Sequence, residues 1–202
     1  QFLIDEMFRF LSTSVRVIWY EVPASEEPIP LFTRLNQGRI PLTDAELLKA
    51  VLLAKVQEEH PGRETEIAAQ WDGIERDLQR PDVWAFVTGQ AAAQGRVTLQ
   101  HGTRIDLLFE TLAKKPATGA PAYHTFDQLR PQAEGDSLAF WAKVEALHAQ
   151  ILGWFEEPLG HNKIGFLVSC GLPLQAIFDL AQGQGKKAFD DALTSRIRAT
   201  LN

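Results

Sequence analysis

Apolar residues recur at helical spacing through most of the chain, and one stretch near its start breaks the pattern. Ile67, Trp71, Ile74 and Leu78 fall three or four apart within 63–78, the signature of an amphipathic helix. Phe140, Val144, Leu147, Ile151 and Trp154 do the same across 136–155. Trp141, His148, Leu152 and Phe155 widen that stripe, Asp136 stands where a cap belongs, and Pro158 with Gly160 read as its stop. Shorter helices are predicted at 2–11, 82–88, 103–112, 173–181 and 187–201. Thr103 is the expected cap of the third of these, with Ile105, Leu108, Phe109 and Leu112 inward. Ser12 to Ser14 read as a turn, 89–102 as a small polar loop and 116–121 as a surface linker.

The exception is VRVIWYEV, 15–22, where β-branched and aromatic residues predict a strand ended by Pro23. Val15, Val17 and Trp19 point one way and Ile18, Tyr20 and Val22 the other, so both faces read as buried. An interior strand needs partners for its backbone groups. The only other candidates, 96–100 and 164–169, are weak, so the partner strands are expected to lie outside this sequence. The start at Gln1, with Met7 as the only methionine, fits a piece of a longer protein. The fold expected is mainly α: a helical bundle with one clear N-terminal strand, the last of an α+β sheet whose other strands are absent.

The best-signalled helix follows a specified loop. Thr43 and Glu46 have capping-box spacing, Leu42 and Leu47 that of a hydrophobic staple, and Pro41 punctuates the start. Leu48, Val51, Leu52 and Ala54 continue an apolar face. Immediately upstream, Arg34, Asn36, Gly38 and Arg39 place polar groups beside that core, and Asn-x-Gly suits a backbone with positive φ.

Composition narrows the function classes. The chain has 202 residues, enough for one domain or one with an appendage. Its net charge of −6 excludes a generically basic, nucleic-acid-coating surface. Between Leu31 and Val56, four cations (Arg34, Arg39, Lys49, Lys55) face two carboxylates (Asp44, Glu46), a local +2 on a body carrying −8. Cys170 is the single cysteine, which excludes an internal disulfide and a cysteine-rich zinc site and fits a cytoplasmic setting. Its neighbours, FLVSC, predict an inert core thiol. No apolar run reaches a membrane-spanning length and no secretory leader is present.

The five histidines show no metal-ligand spacing. His148 reads as a hydrogen-bonded core histidine and His161 as a structural loop histidine. Gly183-Gln184-Gly185 is preceded by a helix rather than a strand, so it does not read as a dinucleotide loop. Asp190-Asp191 and Glu156-Glu157 read as solvated faces, and Asp106 beside Arg104 as a cap or ion pair. No complete active site emerges.

The run FTRLNQGRIPLTDAELLKAVLL resembles a block of the GmrSD-type restriction proteins, bacterial anti-phage nucleases with a ParB/sulfiredoxin-like first domain. The matching positions are Phe32, Arg34-Leu35-Asn36, Gly38, Leu42-Thr43, Glu46-Leu47 and Lys49-Ala50. The resemblance extends to VRVIWYEV, AAQWDGIERDL, VWAF, TRID and WFEEPLGHNKIGFL. The family's upstream Asp-Gly-Gln-Gln-Arg motif has no counterpart, since Asp72-Gly73 runs into Ile74-Glu75, and the separate C-terminal HNH-type nuclease of many relatives has no counterpart within these 202 residues.

The resemblance implies that residues 1–42 end a ParB-like subdomain and 43–202 form its helical part, together one compact unit. It implies a cytoplasmic restriction protein acting in phage defence on foreign or modified DNA under nucleotide control. Arg34, Asn36, Gly38, Arg39 and Lys49 become the candidate nucleotide- or DNA-binding residues, with no catalytic residue assigned. The chain itself is expected to hold no cofactor and to be inactive alone. Nucleoside triphosphate and a divalent metal belong to the intact protein, whose partners are DNA, the ParB-like segment and a second copy of itself. The alternative is a non-catalytic helical interaction or regulatory module.

Overall fold

A computed structural model describes residues 2–16, 42–89 and 103–201. The described residues form ten helices and no strand. The chain divides into two compact units, Gln1–Pro41 and Leu42–Asn202.

In the first unit α1 spans Phe2–Ser14. The turn predicted at Ser12 to Ser14 is instead its last turn. The Ser12 and Thr13 hydroxyls donate back to the carbonyls of the preceding turn, at Phe8 and Arg9, a pattern seen for such residues inside helices. Val15 and Arg16 follow as exposed residues outside the helix, and the remainder of the predicted strand, 17–22, lies outside the described residues.

The described part of the second unit is helical, with no strand. It contains α2 (Asp44–Glu59), α3 (Glu64–Leu78), α4 (Pro81–Thr88), α5 (Asp106–Leu112) and α6 (His124–Gly135). Then come α7 (Ser137–Glu156), α8 (Pro158–Ser169), α9 (Leu174–Ala181) and α10 (Lys186–Leu201). The Thr43 capping box forms as its spacing predicts. Thr43 Oγ1 accepts from the Glu46 amide at 3.1 Å, and the Glu46 carboxylate accepts from the Thr43 amide at 2.8 Å. Asp136 caps α7, accepting from the Ala139 amide at 2.9 Å.

The core runs between α2, α3, α5, α6 and α7. Leu48, Leu52 and Val56 of α2 are fully buried, mostly against α6. Trp71 stacks on Trp141 at 5.7 Å and leans on Phe109 at 5.3 Å, and Phe109 continues to Phe140 at 6.3 Å. Each such pair adds about 1 kcal/mol to the burial of its rings. The Trp141 indole N–H leaves this stack to donate to Gln70 Oε1 at 2.7 Å, so its one polar atom is satisfied.

Four expectations need correction. Helix α6 was missing from the sequence reading; only Phe126, Leu129 and Ala133 bury a stripe in a polar segment that also contains Pro131. Helix α7 stops at Glu156, just before Pro158 as expected, but Pro158 also starts a helix: it sits in the first turn of α8, where a missing N–H is harmless, while Glu157 caps that helix through the Gly160 amide. The weak strand candidate at 164–169 is therefore helical, and His161 belongs to a helix rather than a loop. Cys170 is exposed at the end of α8, not in the core, because the apolar stripe of that helix passes through Ile164, Leu167 and Val168.

Candidate functional site

The segment TRID supplies the connection that organises one end of the second unit. Asp106 opens α5 and is only 3% exposed. Its Oδ1 accepts from the Ala45 amide at 2.9 Å, and its Oδ2 accepts from the Thr103 amide at 2.7 Å and the Thr103 hydroxyl at 3.1 Å. Ala45 is the second residue of α2, so one carboxylate turns its own helix start and caps a helix distant in sequence. Arg104 does not pair with Asp106. Its guanidinium donates to Leu78 O at 2.8 Å, at the end of α3, and lies 4.9 Å from the Trp84 ring of α4.

Beside this junction a cleft of about 490 Å³ opens between α2 and α3, lined among others by Glu46, Lys49, Trp71, Asp72, Glu75 and Arg76. Lys49 projects from α2 across it: Nζ is 3.1 Å from Asp72 Oδ1 and 5.1 Å from the Trp71 ring centre. The pair is partly exposed, with side chains 33% and 66% accessible, so it holds the lysine in place more than it stabilises the fold.

Three carboxyls around the α2 start have a raised affinity for a proton. Burial is the first cause for Asp106, opposed by the Thr103 and Ala45 amides. Burial likewise lifts Asp44, whose Oδ1 is shielded and takes no hydrogen bond, and the Phe126 amide and the charge of Asp106 act on it secondarily. Glu75 is raised by burial against the lowering pull of Lys49. Of the three only Glu75 lines the cleft.

Of the sequence-predicted residues, Lys49 is thus at a cleft. Arg34, Asn36, Gly38 and Arg39 lie outside the described residues. Asp106, Arg104 and Glu75 were not among the candidates. TRID signalled the first two only as a local cap, because their partners at Ala45 and Leu78 are remote in sequence. Among the described residues no group of three or more His, Cys, Asp or Glu side chains is arranged to hold a metal ion, and no helix is long and apolar enough to cross a membrane.

Comparison with protein-family models, with curated proteins and with solved structures gives no match.

A second cluster lies where α4, α7 and α8 meet. His161 stacks on Phe86 at 4.9 Å and lies tilted against Phe155 at 5.0 Å, and its Nδ1 hydrogen-bonds the Phe155 carbonyl at 2.8 Å. Phe86 meets Phe155 edge-on at 5.6 Å. This histidine is a packing element held by aromatic faces. His148 sits half-buried on α7 with Nε2 3.2 Å from Asp77 Oδ2 on α3; burial lowers its proton affinity and Asp77 opposes that.

Proposed function

We propose that this chain is the mainly helical part of a GmrSD-type restriction protein that acts on foreign or modified DNA under nucleotide control. In this reading the chain carries phosphate-contacting residues and the helical scaffold. Arg34, Asn36, Gly38 and Arg39 come from the loop preceding α2 in sequence, and Lys49 comes from α2 itself. The arginines would neutralise phosphate charge, and Asn36 with Gly38 would let backbone approach the ligand.

One observation carries the reading. Three segments that resemble the family, two on successive helices and the third further along the chain, border one cleft. They are LTDAELLKA with Lys49, AAQWDGIERDL with Trp71, Asp72 and Glu75, and TRID with Thr103. VWAF and WFEEPLGHNKIGFL meet likewise through Phe86, Phe155 and His161.

A second reading, a non-catalytic helical module, is favoured by the engagement of Lys49 with Asp72 and Trp71. Arg34→Ala, Asn36→Ala and Lys49→Ala separate the two in a protein that includes the ParB-like segment. Loss of nuclease or nucleotide-hydrolysis activity with unchanged melting supports the site. Full activity in all three variants, or loss only through unfolding, rejects it.

A further inference from the structure

A second hollow, of about 420 Å³, lies away from the Lys49 cleft, between the end of α5, the middle of α7 and α9. Helix α9 packs chiefly on α10 and only lightly on α5 and α7, so the space between them is left unfilled. Its size falls in the range of small-molecule pockets.

The lining has a distinct chemistry. Three carboxamides, Gln150, Gln175 and Gln182, share the hollow with Phe178 and with a cation and an anion that face each other. Lys114 Nζ is 3.7 Å from Asp179 Oδ1, so the site offers little net charge to a phosphate or a carboxylate. The Phe178 ring is braced from behind by Trp154 at a centroid distance of 4.6 Å.

Gln175 is incompletely satisfied. Its Nε2 donates to Asp179 Oδ1 at 3.0 Å, while its Oε1 is shielded from solvent and accepts no hydrogen bond. Flipping the amide would set oxygen against the carboxylate, so the opposite orientation is no remedy. A buried acceptor without a partner is destabilising and calls for an explanation. The last torsion of a glutamine is soft, so a ligand N–H at the hollow can draw this oxygen out by turning the amide, at the cost of the Nε2 bond to Asp179. The rim adds backbone strain: Lys114 has φ 51° without being glycine.

We infer that this hollow is a binding site for a nucleobase, held by the carboxamides of Gln150, Gln175 and Gln182 and packed against Phe178. A base is planar, uncharged and edged with adjacent N–H donors and ring acceptors, which glutamine amides read in pairs. The near-neutral lining selects the base over its phosphates. The inference does not rest on the restriction reading and involves none of its residues.

The test is calorimetric titration of the 202-residue chain with adenosine, guanosine, cytidine, uridine and ATP, and with N-acetylglucosamine as a non-planar amide. Saturable binding of at least one nucleoside is expected, its ATP counterpart binding within about threefold because the phosphates gain little there. Gln175→Leu and Gln150→Leu should each weaken that nucleoside about tenfold, the worth of one good hydrogen bond to a base, with unchanged melting. Gln175→Leu removes the orphan acceptor, so it also leaves folding measurable. Absence of nucleoside binding, indifference to both substitutions, or preference for N-acetylglucosamine overturns the inference. Tight ATP binding that survives both variants overturns it as well and points instead to a phosphate site elsewhere in the chain.

Discussion

Replacing Asp106 with alanine removes one carboxylate shared by three donors. The Ala45 amide, at 2.9 Å, belongs to the first turn of α2, and Ala45 is 1% exposed, so water does not take the lost acceptor's place. Loss of an N-cap acceptor costs about 1 kcal/mol. A buried amide left without a partner adds about 1–2 kcal/mol, and the two bonds from Thr103, at 2.7 and 3.1 Å, add about 1 more. Burial of the carboxylate offsets part of this, leaving a net destabilisation of about 3 kcal/mol. For a unit of this size that is a melting-point drop of roughly 6–12 °C.

The pH dependence has a definite sign. Burial raises Asp106 above its ordinary 3.8 in the folded state. The stability it contributes is therefore fully present below that ordinary value and is lost as pH rises through the raised one. Asp44 and Glu75, lifted first by burial and then by the charge of Asp106, relax downward in the variant and shift the balance the same way. Asp106→Ala should thus destabilise more at about pH 4 than at about pH 8. Urea unfolding at both values, with an unchanged slope, measures it. A loss under about 1 kcal/mol, or a loss that grows with pH, would refute the argument that this buried cap organises α2 and α5.

Three further substitutions test the junctions. Gly89 ends α4 at φ 68°, and a Cβ there would lie 2.7 Å from Val168 O. Gly89→Ala should destabilise by at least about 2 kcal/mol in thermal unfolding; a smaller effect would show that the α4 and α8 backbones separate easily. Arg104→Ala loses the donor to Leu78 O and the contact with Trp84, about 2 kcal/mol in urea, and Arg104→Lys should recover less than half of it. His148 is held below its ordinary 6.5 by burial, with Asp77 opposing, so its stability contribution is present above 6.5 and lost as pH falls through the lowered value. His148→Gln should flatten the acid limb of the stability profile, and an unchanged limb would place that titration elsewhere.

What the sequence made legible was local. The Thr43 box and the Asp136 cap each close over three residues, and the α7 stripe repeats over five turns, so spacing alone revealed them. Helix α6 stayed hidden because polar residues and an internal proline dilute its stripe, and its stability comes from packing on α2. Pro158 showed only half its role: the stop of α7 was legible, but the start of α8 at the same proline depends on the Glu157 cap. Asp106 and Arg104 acquire their roles from Ala45 and Leu78, remote partners that no window of sequence contains. Lys49 was named from the resemblance, and its cleft requires α3 to be in place.

The most direct test of the phosphate-contacting role is DNA binding by the 202-residue chain, followed by fluorescence anisotropy at two salt concentrations. The expected result is binding that weakens with salt. Arg34→Ala with Lys49→Ala should reduce the logarithmic salt slope by about 1 per lost phosphate contact. Binding that is absent, insensitive to salt or unchanged by the two substitutions would contradict the account and leave these helices as a scaffold.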